Sequence, residues 1–386
     1  MQSLTPRVRK NQRGAVSLFV VVFATLLITV LTVGFVRIML TDQQQAMSND
    51  LSQSAYDSAL AGVEDAKRAL LACADGSDTA CAAIEAGECT TLLDAGVVAF
   101  SGQDASSTEV LIQSTIGDGS QNLNQAYTCV IVEPNTKDVL QPLGVNESIM
   151  VPLRGVGPFT DVQVSWTTST DTAGDPTYYN NSVTLPSADS GEWAPSTPSL
   201  LRAQLVQFAD DGFTLDDFNV TDNGSNANTL FLYPTAGMAT SPVSEFSFVS
   251  DVRQVAGQNE PKSVSCVPSY VTRDYACSAI LSLPTPVGGD ASGADRQAYL
   301  RLNALYNATN VKLELLNGST KVLFDNVQPE VDSTGRANDL FRRVQARVRL
   351  DSNFAYPESA VDVSGNLCKN FLVTNTPTDY ENSCTP

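Results

Sequence analysis

Residues 12–71 read QRGAVSLFVVVFATLLITVLTVGFVRIMLTDQQQAMSNDLSQSAYDSALAGVEDAKRALL, an apolar run that passes into a polar, helix-patterned extension without a proline. The run carries no charge from Ala15 to Val36. As a helix rising about 1.5 Å per residue it would reach roughly 33 Å, enough to cross the hydrocarbon core of a bilayer. A cleaved secretory signal has a shorter apolar stretch that ends at a small-residue site. The sequence therefore predicts a membrane helix that stays attached to the chain.

The charges on either side of this span predict its orientation. Four cations and no acid precede it, and the first acidic residue of the chain is Asp42. The cations are Arg7, Arg9, Lys10 and Arg13. Positive charge is retained on the cytoplasmic side of a membrane, so we expect a cytoplasmic N-terminus and a C-terminal domain outside.

Beyond the span, apolar and small residues recur at intervals of three and four, which is typical of one helix face that packs against a partner. They are Met47, Leu51, Ala55, Ala59, Val63, Ala66 and Leu70. The small residues Ala61 and Gly62 would also let another helix or a sheet approach closely. A signal anchor followed by a simple stalk is the alternative interpretation.

These features together resemble a known family. A short basic leader ending in Gly14, then Ala15, an apolar span and a long helix with a polar lower half resemble a type IV pilin precursor. More narrowly, RGAVSLFVVV, Asn49 within MSNDL, and SAYDSALAGVEDA are similar to the N-terminal region of the PilX-type minor pilins. The resemblance covers about 60 of the 386 residues. In one departure, Phe19 stands at the fifth position after the leader, where major pilins have a glutamate.

The resemblance implies cleavage between Gly14 and Ala15 by a prepilin peptidase, methylation of the new N-terminus, and assembly into a pilus through this helix. The implied partners are major and other minor pilins, the prepilin peptidase, a membrane assembly platform and, before assembly, membrane lipid. The implied subunit-packing residues are Phe19, Leu51, Ala55, Ala59 and Val63. The protein would be a single-pass membrane protein first and part of an extracellular pilus afterwards.

The expected function is accordingly that of a non-enzymatic minor pilin, a structural or adhesive subunit at or near the pilus tip. Two observations favour the tip: Phe19 offers no carboxylate to the N-terminal ammonium of a neighbouring subunit, and about 310 residues after Leu71 would crowd a packed shaft. A pseudopilin of a type II-like secretion system and a permanently membrane-anchored surface adhesin remain alternatives.

Charge and residue content exclude several other functions. The chain has 23 Lys and Arg against 42 Asp and Glu, and the 345 residues from Asp42 onward hold 18 of these cations and every acid. Such a surface repels phosphate backbones, so nucleic-acid binding is disfavoured. The chain has no histidine, which excludes Ser-His-Asp and Cys-His catalysis, and it contains no nucleophile-elbow, zinc-protease or P-loop motif. The pairs Asp210-Asp211 and Asp216-Asp217 lie in loop sequence and are interpreted as solvated turns. We expect no enzymatic activity and no cofactor.

Eight cysteines all follow the span, and an even number on the outer side of a membrane is typical of disulfides. Zinc would need ligand spacings that are missing, since no C-x-x-C pair and no histidine is present. Cys266 with Cys277 and Cys368 with Cys384 are neighbours in sequence and are expected to pair. The first four allow three connectivities, of which Cys73 with Cys81 and Cys89 with Cys129 is favoured. The Cys368–Cys384 loop is similar in position and size to the C-terminal disulfide loop of type IV pilins.

The remaining sequence predicts an α+β fold, with one long N-terminal helix packed on a disulfide-braced, mainly antiparallel β ectodomain. A short helical piece is expected near residues 79–86, and from about Ala126 onward short β-branched or aromatic segments alternate with turn residues. Asn317-Gly318 is predicted to turn a two-residue hairpin. The expected divisions are a leader (1–14), the pilin helix (15–72) and two β-rich parts (73–245 and 246–386).

Two further segments carry candidate binding chemistry. The loop Asp216–Asn228 is rich in oxygen ligands, as a calcium loop would be, but it lacks the spacing and the final glutamate of such loops. The segment 335–350 concentrates five arginines in an acidic domain. These arginines are interpreted as the solvent face of a strand paired with local acids, or else as a docking face for an acidic neighbour.

Overall fold

The computed structural model describes residues 13–98, 109–112, 125–168, 171, 193, 197–208, 226–236, 243–248, 261–267, 274–288 and 297–350. The chain has an α+β fold with one long N-terminal helix and mainly antiparallel sheets. The helices are α1 (Arg13–Ala74), α2 (Asp78–Ala86) and α3 (Thr91–Asp94). The strands are β1 (Val110–Leu111), β2 (Gln125–Thr136), β3 (Val139–Leu143), β4 (Ser148–Pro152), β5 (Phe159–Thr168), β6 (Leu200–Phe208), β7 (Asn226–Ala236), β8 (Ser244–Ser247), β9 (Lys262–Cys266), β10 (Tyr275–Val287), β11 (Gln297–Leu305), β12 (Thr309–Asn317), β13 (Thr320–Val322), β14 (Phe324–Ala337) and β15 (Leu340–Arg347).

The chain divides into two compact units that are nested in sequence. The first, which we call the helix unit, comprises Met1–Pro134 and Pro329–Val348. The second, the sandwich unit, comprises Asn135–Gln328 and Arg349–Pro386. The division differs from the one expected near residue 245, because strands from before and after that residue are neighbours in the same sheets.

The helix unit is built from α1, α2, α3 and a four-stranded sheet in the order β1-β2-β14-β15. The β14–β15 pair is antiparallel, from Glu330 opposite Arg347 to Ala337 opposite Leu340. The second half of α1 lies on this sheet and buries its small residues there.

The sandwich unit contains two sheets. One has the order β13-β12-β5-β10-β8, with β3 also paired to β12, and the other has the order β4-β11-β6-β7-β9. One cluster of buried residues draws on both sheets, including Trp166, Phe159, Leu205 and Leu300. The two sheets therefore pack face to face over a shared hydrophobic core, as alternating strands with one apolar face require.

A disulfide joins the two sheets inside that core. Cys266 on β9 bonds to Cys277 on β10, and both side chains are buried. Cys277 lies opposite Trp166 in the β5–β10 register, and the indole Nε1 of Trp166 donates a hydrogen bond to the carbonyl of Ser199 at 3.0 Å. The largest side chain of the core thus has its one polar atom satisfied.

Most predicted elements are present, and two differ in an informative way. The β12–β13 hairpin exists, but Asn317 pairs with Thr320, so its two-residue loop is Gly318-Ser319, one residue later than predicted. Gly318 has a φ of 60°, which glycine adopts without strain. Strand β14 was not predicted at all, although it is the longest strand of the fold in the described part of the chain.

Candidate functional site

The first half of α1 is an apolar helix on which none of the described parts of the chain packs. Every described side chain from Leu18 to Asp50 is exposed, including Phe19 at 75%. The helix is continuous from Arg13 to Ala74 and is long and apolar enough to span a membrane. An exposed apolar surface of this extent requires lipid or another apolar partner.

The threonine hydroxyl groups of this span donate hydrogen bonds to backbone carbonyl groups of the same helix. Thr25 Oγ1 donates to the carbonyl of Val21 at 3.0 Å, and Thr32 Oγ1 donates to the carbonyl of Ile28 at 2.7 Å. A hydroxyl satisfied in this way costs little in an environment without water. The polar atoms of the span are therefore compatible with a lipid or helix-packed surrounding.

The second half of α1 is buried along one face by small residues. Ala55 and Ala59 have no exposed surface, Val63 is buried, and Leu51 is half-buried. Ala66, Ala69 and Leu70 continue the same face toward the end of the helix. Within one chain, this face is therefore occupied by the chain's own sheet, whereas the resemblance assigned Leu51, Ala55, Ala59 and Val63 to packing between subunits.

Two glycines allow the helix backbone to lie almost directly on the sheet. A Cβ on Gly335 of β14 would lie 2.1 Å from the carbonyl oxygen of Ala55 and 2.2 Å from the amide nitrogen of Ala59. A Cβ on Gly62 would lie 2.4 Å from Ser333 Oγ and 3.0 Å from a methyl of Val130. These distances leave no room for a side chain at either position. Close approach at Gly62 was predicted from the sequence, whereas that at Gly335 was not, although an isolated glycine within a strand is a known sign of close backbone approach.

Polar contacts hold the helix at a fixed rotation on the sheet. The Tyr127 hydroxyl donates to Asp65 Oδ2 at 2.7 Å, and Arg342 Nε donates to Ser52 Oγ at 2.8 Å. Burial, and then the hydrogen bond to the Asp65 carboxylate, raise the pKa of Tyr127 far above its ordinary value. Tyr127 therefore stays protonated, and donates to Asp65, above the pH at which a free tyrosine ionises.

Disulfides secure the region where α1 ends. Cys73 in the last turn of α1 bonds to Cys81 in α2, and Cys89 bonds to Cys129 on β2. These are the pairings that the sequence favoured among three possible sets. Between the first pair the chain reverses through Gly76, which has a φ of 95°, and Ser77 caps α2 by accepting a hydrogen bond from the amide of Ala80. Disulfides of this kind indicate an oxidising, extracellular environment for the domain.

The arginines of the last strands are mostly paired within the helix unit. Arg336 donates from Nε and Nη2 to the two carboxylate oxygens of Glu109 at 3.0 and 2.8 Å. Arg343 pairs with Asp332, and Arg347 with Glu330 at 3.4 Å. This pairing supports the interpretation of these arginines as a strand face neutralised by local acids.

The other predicted site residues lie at the margins of, or outside, the described part of the chain. Gly14 and Ala15 belong to the first turns of α1, and only their backbone is described. Cys368 and Cys384 lie outside the described residues. So does the Asp216–Asn228 loop up to residue 225, and its last three residues belong to β7. Among the described residues no group of three or more Cys, Asp or Glu side chains is placed to hold a metal ion.

The candidate site is therefore a surface for packing and not a catalytic centre. The first half of α1 is exposed and apolar, and its second half is held by glycine contacts, a tyrosine–aspartate hydrogen bond and two disulfides. Comparison of the chain with protein-family models, with curated proteins and with solved structures found no match.

Proposed function

We propose that this protein is a minor pilin, a non-enzymatic structural or adhesive subunit of a type IV pilus that acts at or near the pilus tip. The observation that supports this most is the single helix α1, whose exposed apolar first half continues without interruption into a second half fastened to a folded domain. In the membrane the first half would be surrounded by lipid, and in a filament the same surface would be covered by the helices of other pilins.

The attachment of the second half of α1 to its domain also supports the proposal. A subunit that is extracted from a membrane by its helix must keep that helix attached to its domain under load. Gly335, the Tyr127–Asp65 hydrogen bond and the Cys73–Cys81 disulfide provide such an attachment. A flexible stalk would need none of these contacts, which argues against the simple signal anchor.

Phe19 supports a position at the tip. Its side chain is 75% exposed on the apolar half of α1 and offers no carboxylate to the terminal ammonium of a neighbour. A carboxylate in a lipid-like environment is costly without a partner, so a subunit that lacks it loses little where it is not stacked in the usual register.

Mass spectrometry of the native protein tests the processing step. We expect a mature chain that begins at Ala15 with a methylated amine, and we expect Gly14→Glu to retain the leader. Gly34→Ala is the matched control, because a Cβ at Gly34 meets nothing within 4 Å. A native protein that still carries residues 1–14 would instead identify the permanently anchored adhesin.

Position and filament type need a second experiment. Immunogold labelling of purified pili is expected to mark the ends of filaments sparsely, whereas regular labelling along the shaft would contradict the tip assignment. Co-purification with a secretion channel and its short filament, in place of surface pili, would favour the pseudopilin.

A further inference from the structure

The three disulfides in the described part of the chain differ in their access to solvent. Cys266 and Cys277 are 1% and 0% exposed within the core of the sandwich unit. Cys89, by contrast, is exposed, and its partner Cys129 is half-buried on β2. Reduction of a disulfide requires a thiolate to reach one of its sulfur atoms. Burial therefore protects the first bond, and exposure leaves the second open to attack.

The third pair is intermediate in exposure, but its surroundings keep the two sulfur atoms together. Cys73 lies in the last turn of α1 and Cys81 in α2, and both are half-buried. The turn between them is held by backbone hydrogen bonds: the amide of Ser77 donates to the carbonyl of Ala72 at 3.0 Å, and the amide of Cys81 donates to the carbonyl of Ser77 at 3.0 Å. Two thiols left by reduction here would stay within reach of each other and form the bond again.

Cys89 lies outside both neighbouring helices. It falls in the connection between the end of α2 at Ala86 and the start of α3 at Thr91. Its bond to Cys129 spans a sequence separation of 40 residues, against 8 for the pair at the end of α1. Closing a longer loop costs more conformational entropy, so this bond forms again less readily once it has been opened.

The segment that this bond holds has little other support. Helix α3 has four residues, of which Thr91 and Leu92 are buried, and a helix of that length is not stable by itself in water. Helix α2 is anchored separately, by the disulfide at the end of α1 and by the buried side chains of Ala80 and Ile84. Opening the bond of Cys89 should therefore free the residues from 87 to 95, which we call the α3 segment, and leave α2 in place.

The contact between α1 and its sheet does not run through the α3 segment. It is made by Gly335 against Ala55 and Ala59, and by the hydrogen bond from Tyr127 to Asp65. None of these residues lies between 87 and 95. Opening of the exposed disulfide is therefore a local change within the helix unit and not a loss of its fold.

We propose that the Cys89–Cys129 disulfide is a redox-sensitive latch, which holds the α3 segment to β2 and is opened by a dithiol. A thiolate of the dithiol attacks the exposed sulfur of Cys89, the bond to Cys129 breaks, and the Cys129 sulfur leaves as a thiolate and takes up a proton. The second thiol of the dithiol then attacks the mixed disulfide, which releases Cys89 as a thiol. The protein disulfide gains two electrons, and the dithiol is oxidised to a disulfide. The latch is independent of the pilin assignment, because it involves neither the leader nor the apolar span.

Graded reduction of the native full-length protein in detergent by dithiothreitol tests the proposal. The thiols released at each step are alkylated, and mass spectrometry of the peptides reports on every cysteine separately. We expect Cys89 and Cys129 to be labelled first, and labelling of Cys266 and Cys277 to be at least tenfold slower. Equal rates for these two pairs, or earlier labelling of the pair at the end of α1, would overturn the proposal.

Hydrogen exchange of the double variant Cys89→Ala, Cys129→Ala measures what the latch holds. We expect exchange to rise at least tenfold over residues 87–95 and to stay as in the native protein over residues 55–66. The matched control is Glu85→Gln, at an exposed side chain of α2, which is expected to leave exchange unchanged in both ranges. Native exchange over residues 87–95 in the double variant would overturn the proposal. If the double variant does not fold, the native protein reduced and alkylated at Cys89 and Cys129 provides the same comparison.

Discussion

The interiors of the helix unit and the sandwich unit are built on opposite principles. Where α1 meets its sheet, the contact is made by Ala55, Ala59, Gly62 and Gly335, residues with little or no side chain. The sandwich core is instead filled by large side chains, among them Trp166, Phe159 and Leu313. The first interior brings two backbones together, and the second fills a space between two sheets.

This difference determines how each interior responds to change. Where two backbones are in direct contact there is no space for an added side chain, so even one extra methyl group forces the helix and the sheet apart. A filled core loses stability chiefly when atoms are removed, because a cavity is left behind. The helix unit should therefore be sensitive to larger residues, and the sandwich unit to smaller ones.

The largest effect is expected from Gly335→Ala. The new Cβ would lie within about 2 Å of the α1 backbone at Ala55 and Ala59, so α1 must move away from β14, at a cost of about 4–5 kcal/mol. Thermal unfolding of the full-length protein in detergent, with hydrogen exchange along α1, measures the loss. Gly157→Ala is the control, since a Cβ there meets nothing within 4 Å. A change below about 1 kcal/mol in Gly335→Ala would show that the helix does not lie this close to β14.

Leu313→Ala makes the opposite change in the sandwich core. Leu313 on β12 is completely buried, and its truncation is expected to cost about 2–5 kcal/mol through lost burial and the cavity that remains. Leu140→Ala on the neighbouring strand β3 is the control, because Leu140 is 39% exposed and should lose less than about 0.5 kcal/mol. Denaturant unfolding followed by tryptophan fluorescence reports on this unit through Trp166. Equal losses in the two variants would contradict the description of this core.

Tyr127→Phe sharpens the comparison by removing one polar contact and leaving the backbone contact in place. Loss of the hydrogen bond to Asp65 is expected to cost about 1 kcal/mol at neutral pH. The pKa of Tyr127 is higher in the folded chain than its unfolded value of about 10, so its contribution is complete below pH 10 and is lost as the pH rises further. The variant should therefore lose less stability than the native protein between about pH 10 and pH 12.

Melting curves across this alkaline range check the prediction. Tyr56→Phe, at an exposed tyrosine of the same helix, is the control and should retain the native dependence on pH. If the melting temperature of Tyr127→Phe fell with pH as steeply as that of the native protein, another group would account for the loss of stability at alkaline pH.

The sequence predicted those parts of the fold that depend on local patterns. The uncharged run from Ala15 to Val36 and the three- and four-residue spacing after it predict the long helix, and alternation predicts strands such as β6 and β11. Strand β14 was missed because it reads FDNVQPEVDSTGRA, which is largely polar and is interrupted by proline and glycine. Its inward residues Ser333 and Gly335 are small where α1 lies directly upon them, and so this part of the strand lacks the hydrophobic signal by which strands are recognised.

What the sequence could not provide is the pairing of distant segments. The nesting of one unit within the other follows from β2 and β14 being neighbours in one sheet although almost 200 residues separate them. Likewise, Asn303 on β11 lies opposite Arg202 on β6 only because these two strands pair in one particular register. Single-sequence patterns carry no information about such register, since each strand shows only which of its own residues face inward.

The nested arrangement of the units has a consequence for proteolysis. The chain crosses between the helix unit and the sandwich unit three times, after residues 134, 328 and 348. For the same reason a protease that severs any one of these connections leaves the two units joined through the other two, so a chain nicked once there does not fall into two separate units.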